Sequence, residues 1–260
     1  FLQGKGVGKV TLPGLGLAVG EPAINSTPRK MIVNELSLLY GGGLDVTISV
    51  PEGETLALKT FNPKLGIIGG ISIIGTSGIV KPFSSEAFVD AIRKEVEVAY
   101  AINAERLVIN SGAKSEKFVR SLYPNLPPQA FVHYGNFIGE TLKIAAETGF
   151  QKVSMGIMIG KLAEGHLDTH SKKVIMNKDF LKEIAIQCSC SDETLALIEQ
   201  MTLARELWGI PNKKDKEILF NKLVQLCHIH CTPLFPKGEL AILLINETGE
   251  ISYQFHSTLF

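Results

Sequence analysis

The chain has 260 residues, 45% hydrophobic and 20% charged, with 26 basic and 26 acidic side chains. Apolar content of this size without low-complexity tracts excludes a disordered chain, and a net charge of zero gives non-specific nucleic-acid binding no global electrostatic help. Four cysteines (188, 190, 227 and 231) are too few for a disulfide framework in a chain this long.

Residues 1–20, including "GKGVGKVTLPGLGLAVG", read as short strands and tight turns. Pro28 suits the first position of a helix capped by Ser26 or Thr27, running over roughly 29–40 and stopped by three glycines at 41–43. "LDVTISV" (44–50) alternates at period two and predicts a half-buried strand. "LGIIGGISIIGTSGIV" (65–80) predicts buried strand with close backbone approach. Its glycines break it too often for a membrane span. Ser84 or Ser85 caps a helix to about Asn103, with Glu86 in its first turn.

A repeated unit follows. "RLVIN" ends at Ser111-Gly112, "AFVHY" at Gly135-Asn136 and "KVSMGIMI" at Gly160-Lys161, with a helix expected after each. Three strand–glycine–helix units argue a parallel sheet covered by helices. Residues 180–230 read as helical, "SDETLALIEQMTLARELWG" most clearly, and "ELAILLINETGEISYQF" as a hairpin. The expected class is therefore α/β, α+β overall. An N-terminal strand and helix region (1–60) precedes a larger domain (61–260) with a mostly parallel sheet flanked by helices.

In a parallel sheet the carboxyl ends of the strands share one edge, where ligands bind. Ser111, Gly112, Gly135, Asn136, Gly160 and Lys161 fall on that edge, where glycine admits a ligand to backbone amides and helix N-termini favour anions. Each loop alone is equally a tight turn; three on one rim point to a cleft. No G-x-G-x-x-G follows a strand, so an ordinary dinucleotide or nucleoside fingerprint is absent. His166, Asp168 and His170 lie within five residues and suit proton transfer. A hydrogen-bonded loop explains them as well, and no metal is expected. "CSC" (188–190) and "CHIHC" (227–231) lack zinc-ligand spacing, and Cys227 and Cys231 fit an apolar helix face.

Lys59, Lys64 and Lys81 lie in a stretch without acids, as do Lys5 and Lys9 before Glu21. A basic, glycine-rich surface suits a polyanionic small molecule; solvated loop lysines are the plain alternative. In "GEPAINSTPR" (20–29), Pro22 and Pro28 stiffen the backbone that carries Glu21, Asn25 and Arg29. Either those side chains point at a ligand, or Glu21 and Arg29 pair and pin the turn.

Four stretches carry a resemblance: "GVGKVTLPGLGLAVGEPAINSTPRKMI", "KTFNPKLGIIGGISIIGTSGIVKPFSSEAF", "VHYGNFIG" and "GKLAEGHLDTHSKK". With them the chain closely resembles the CbiD family of cobalamin biosynthesis, from near residue 4 to the final hairpin. The resemblance implies S-adenosylmethionine-dependent methylation of ring carbon 1 of cobalt-precorrin-5B, with cobalt present only as part of the substrate. It implies Glu21 and the rim residues on the donor side. Asn25, Arg29, Lys59, Lys64, Thr76, Ser77 and Lys81 are then expected on the carboxylate-rich tetrapyrrole side, and His166, Asp168 and His170 as proton acceptors. Family members begin with an additional segment on the order of a hundred residues, which makes reduced activity of this chain an expectation, and the loop 161–165 is shorter than typical. A non-catalytic tetrapyrrole-binding module and a nucleotide-dependent oxidoreductase are the competing classes. A cytoplasmic enzyme without nucleic-acid or membrane partners is expected, and a homo-oligomer is compatible with the sequence.

Overall fold

The computed structural model describes residues 1–75, 84–165 and 176–256. The chain forms two compact units, Phe1–Ala104 and Glu105–Phe260.

The first unit is assembled from short pieces. Strands β1 (Leu2–Gln3), β2 (Gly6–Val7) and β3 (Lys9–Val10) are followed by helix α1 (Ser26–Ser37), β4 (Thr47–Ile48) and helix α2 (Gly53–Ala57). Strands β5 (Ile67–Ile68) and β6 (Gly70–Ile71) and helix α3 (Ser85–Ala101) complete it. β1 pairs with β4, β2 with β6 and β3 with β5. The glycines make these pairings physically attainable: a Cβ on Gly70 would lie 2.2 Å from Gly6 O, and one on Gly53 1.9 Å from it. The compact units part at 104/105, whereas composition suggests 60/61, because β5 and β6 pair with strands from the first ten residues.

Three expectations for this unit shift. The strand expected over 44–50 is confined to Thr47–Ile48, and the long strand expected in 65–80 is divided by Gly69 into β5 and β6. α1 begins at Ser26 with Asn25 in the cap position, so Pro28 is its third residue rather than its first. The first four N–H groups of a helix have no intrahelical acceptor, so the missing N–H is tolerated there as well. α3 behaves as expected, with Ser84 Oγ accepting from Ala87 N and Glu86 in the first turn.

The second unit holds the parallel sheet. β7 (Leu107–Asn110), α4 (Ala113–Leu122), β8 (Phe131–His133), α5 (Ile138–Thr148) and β9 (Lys152–Met158) form the repeat. Helices α6 (Ile159–Leu162), α7 (Lys178–Gln187), α8 (Asp192–Gln200) and α9 (Lys213–Cys231) lead to the hairpin β10 (Glu239–Ile245) and β11 (Ile251–His256). The strand order is β11-β10-β9-β7-β8, parallel except for the β10–β11 pair. All four residues of β7 and the last six of β10 are buried, as expected of strands covered on both faces.

The helix expected from Ser191 to Gly209 is interrupted at Met201–Leu203. Glu206 Oε1 accepts hydrogen bonds from the N–H groups of Thr202 and Leu203 and from Thr202 Oγ1, starting a new 3₁₀ turn at Ala204. Asp215 plays the matching part for α8, accepting from Ser191 N, Ser191 Oγ and Thr194 Oγ1 at 2.6–2.8 Å. These bonds to Ser191 and Thr194 hold its carboxyl below the usual carboxylate range.

Candidate active site

The register of the sheet brings the ends of β7 and β8 to one height, with the end of β9 two residues further out. Asn110 stands beside His133 on one side and Gly156 on the other. Ser111-Gly112 and Tyr134-Gly135 therefore leave the sheet together, while β9 runs on through Met158, paired with Ile245 of β10, before reaching Gly160-Lys161. The chain also reverses its winding here. Val119 of α4 packs on Gly156, whereas the neighbouring Ile157 shares a cavity wall with Ile138 of α5 and with Leu223 and Cys227 of α9. α4 therefore covers one face of β9, and α5 and α9 the other. Between β7 and β9 the connections leave toward opposite faces, which makes that gap the topological switch point where α/β sheets bind ligands.

Polar groups converge on this edge. Asn110 Oδ1 accepts from Gly112 N at 3.2 Å, and Asn110 Nδ2 donates to Val132 O, holding the β7 loop to β8. Ser111 and Ser115 hydroxyls lie 3.1 Å apart. Tyr134 is fully buried, its hydroxyl 3.4 Å from Gly156 O. Burial pushes its phenol far up, the Cys227 thiol adds to this and the Ser111 hydroxyl opposes it, so Tyr134 remains protonated. Lys161 Nζ donates to Asn136 Oδ1 and, at 3.1 Å, to Glu164 Oε2, tying the β8 loop to the segment after β9. Burial raises the Glu164 carboxyl from its ordinary value, and Lys161 opposes the rise.

Gly112 and Gly160 differ from the structural glycines of the first unit. A Cβ at either would meet nothing within 4 Å, so both border open space. Below the rim, Ile157, Lys161, Leu162, Phe180 and Cys227 line a cavity of about 50 Å³. That volume suits one or two waters and is far below the roughly 300–1,000 Å³ of a small-molecule pocket. A larger, shallow space of about 600 Å³ lies between α9 and β11, lined by Lys213, Lys216, Glu217 and Tyr253; at the rim itself the room is the open space beside Gly112 and Gly160.

Of the residues expected on the tetrapyrrole side, Arg29 and Lys64 are bound to carboxylates of the first unit. Arg29 donates from Nε to Ile24 O and from Nη2 to Pro22 O and Glu21 Oε2, at 2.8–3.2 Å. The stretch 21–25 is itself extended, with Ala23 N bonded to Gly8 O and Asn25 N to Ile73 O. Glu21 and Arg29 thus pin the turn. Asn25 makes no side-chain cap bond to α1. Lys64 Nζ lies 2.6 Å from Glu95 Oε2 in a pair whose side chains are 17% and 4% exposed. Lys59 is exposed and forms no ion pair among the described residues. Thr76, Ser77, Lys81, His166, Asp168 and His170 lie outside the described residues. Among the described residues no group of three or more His, Cys, Asp or Glu is placed to hold a metal ion.

Two groups escaped the sequence reading. Glu164 is one; its spacing of three from Lys161 on a helical turn was the available signal. The other is His133 at the end of β8, paired with Glu116 of α4, which also binds Arg120.

The family model described as CbiD matches residues 1–82, and the one described as CbiD, C-terminal domain, matches 168–255. A protein of Prosthecochloris aestuarii named cobalt-precorrin-5B C(1)-methyltransferase is 42% identical over 254 residues, covering 94% of this chain and 69% of its own. The chain belongs to the CbiD family. A relative of the same name from Geobacillus sp. (strain WCH70) is 44% identical over 232 residues, covering 86% of this chain and 64% of its own. A crystal structure of a cobalamin biosynthesis protein (CbiD) from Archaeoglobus fulgidus is 28% identical, covering 62% of this chain and 50% of that one. Its TM-score of 0.26 is too low to carry a comparison of geometry. No helix among the described residues of this CbiD-family chain is long and apolar enough to cross a membrane.

Proposed function

We propose that this chain transfers the methyl group of S-adenosylmethionine to ring carbon 1 of cobalt-precorrin-5B, giving cobalt-precorrin-6A in the anaerobic cobalamin route. The observation that carries the reading is 42% identity, over nearly the whole chain, to a protein named for that reaction. Cobalt enters as part of the substrate.

The chemistry asks little covalent work of the protein. The ring carbon attacks the methyl carbon, and the carbon–sulfur bond breaks with its electron pair going to sulfur. The donor is already activated, so catalysis rests on holding carbon, methyl and sulfur in line. The donor is assigned to the crevice between β7 and β9, where Gly112 and Gly160 leave room and Ser111, Gly135, Asn136 and Lys161 supply the edge. The tetrapyrrole carboxylates are assigned to the cations of the first unit. Lys59, with Lys5 and Lys9, is the better candidate, because Arg29 and Lys64 are already bound to Glu21 and Glu95. Asn25 adds a polar group, and Thr76, Ser77 and Lys81 belong to the same proposal. His166, Asp168 and His170 are proposed to take up the proton that the macrocycle loses after methylation.

Calorimetry with S-adenosylhomocysteine and with NADPH separates the classes. Binding of the first alone is expected. Binding of NADPH would favour an oxidoreductase, and binding of neither a tetrapyrrole-binding module.

A further inference from the structure

We infer that Glu164 is the donor-binding carboxylate of this site, accepting hydrogen bonds from the sugar hydroxyls of the nucleoside; the inference rests on the methyltransferase reading. A nucleoside donor presents a pair of vicinal hydroxyls, and a carboxylate is the side chain whose two oxygens accept from both without offering a competing donor. The other acids of this edge are committed elsewhere. Glu116 binds Arg120 and His133, Glu247 binds Lys114, and Glu140 stands on the exposed side of α5 beside Lys143. Glu21, the acid that the sequence offers for this task, is bound to Arg29.

Glu164 is placed differently. Its side chain is 11% exposed, and it is close enough to raise the pKa of the buried Tyr134, whose ring lies beneath the rim. Oε2 accepts from Lys161, while Oε1 has no hydrogen-bond partner among the described residues. Lys161 is held in turn by Asn136, so the carboxylate is anchored with one oxygen to spare. The same lysine decides what Glu164 selects. A ligand ammonium or sulfonium brought to this carboxylate meets Lys161 Nζ, 3.1 Å from Oε2, and is repelled. A neutral diol is not.

The test is calorimetry on the whole chain with S-adenosylhomocysteine and its 2′,3′-dideoxy form, in wild type, Glu164→Gln and Glu164→Asp. Hydrogen bonds to charged groups support a tenfold or larger preference of wild type for the hydroxylated ligand. Both variants should bind S-adenosylhomocysteine at least tenfold more weakly and bind the two ligands within about threefold of each other. Circular dichroism checks that the variants are folded. The aspartate keeps the charge facing Lys161 while shortening the reach. Equal binding of the two ligands by wild type, or an undiminished preference in a folded variant, overturns the assignment and leaves the methyltransferase reading standing. No binding of S-adenosylhomocysteine by wild type sinks that reading itself.

Discussion

Gly160→Leu should abolish S-adenosylhomocysteine binding while leaving the protein as stable as before, or slightly more so. Gly160 is the second residue of α6, and a Cβ there meets no atom within 4 Å. Glycine is the poorer helix former of the two, so replacement should not weaken the fold. The leucine side chain would instead occupy the space between β7 and β9 that the donor is proposed to fill. A loss of affinity of about a hundredfold or more, roughly 2.7 kcal/mol, is expected in calorimetry, with the thermal midpoint unchanged or raised. Gly135 is the poorer place for this test. Its φ of +56° lies where a side chain is strained regardless of space, so loss of binding there would be confounded with loss of fold. Unchanged affinity in Gly160→Leu would remove the donor from this crevice.

Lys64→Ala should destabilise the first unit by about 3–5 kcal/mol, because it leaves Glu95 buried and unpaired. The Glu95 side chain is 4% exposed, and Lys64 Nζ lies 2.6 Å from its Oε2. Replacing both partners with apolar residues of similar volume, Lys64→Met with Glu95→Leu, should restore most of the loss, since desolvating a buried pair offsets much of its attraction. Urea unfolding of the single and double variants reads this directly. Near-normal stability in Lys64→Ala, with weakened tetrapyrrole binding, would return Lys64 to the substrate surface.

The parallel sheet was legible because its strands are covered on both faces. "LVIN", "FVH" and "VSMGIM" are apolar almost throughout, and each is followed by a glycine loop and an amphipathic helix. The two-residue strands of the first unit left no comparable signal. Gly6 meets Gly70 and Lys9 meets Ile68 across some sixty residues, and a strand of two residues has no period to detect. Charge partners were legible only when close in sequence. Glu21 and Arg29 sit on one turn and suggest each other; Lys64 and Glu95 are 31 residues apart and do not. The rim was legible as a set of glycines, but its order was not. Only the strand order β9-β7-β8 shows that the gap between β7 and β9 is the switch point and that Lys161 reaches Asn136. Glu164 carries no motif, and its nearness to the buried Tyr134 emerges only when α5, α6 and α9 close over one face of the sheet.

The most direct measurement is methyl transfer itself. The chain is incubated with cobalt-precorrin-5B and S-adenosylmethionine carrying a carbon-13 methyl group, and the product is read by mass spectrometry and carbon NMR. One labelled methyl per macrocycle is expected, on ring carbon 1, with stoichiometric S-adenosylhomocysteine. Label on a different ring carbon, or no transfer by a folded chain that binds both ligands, would contradict the methyltransferase reading.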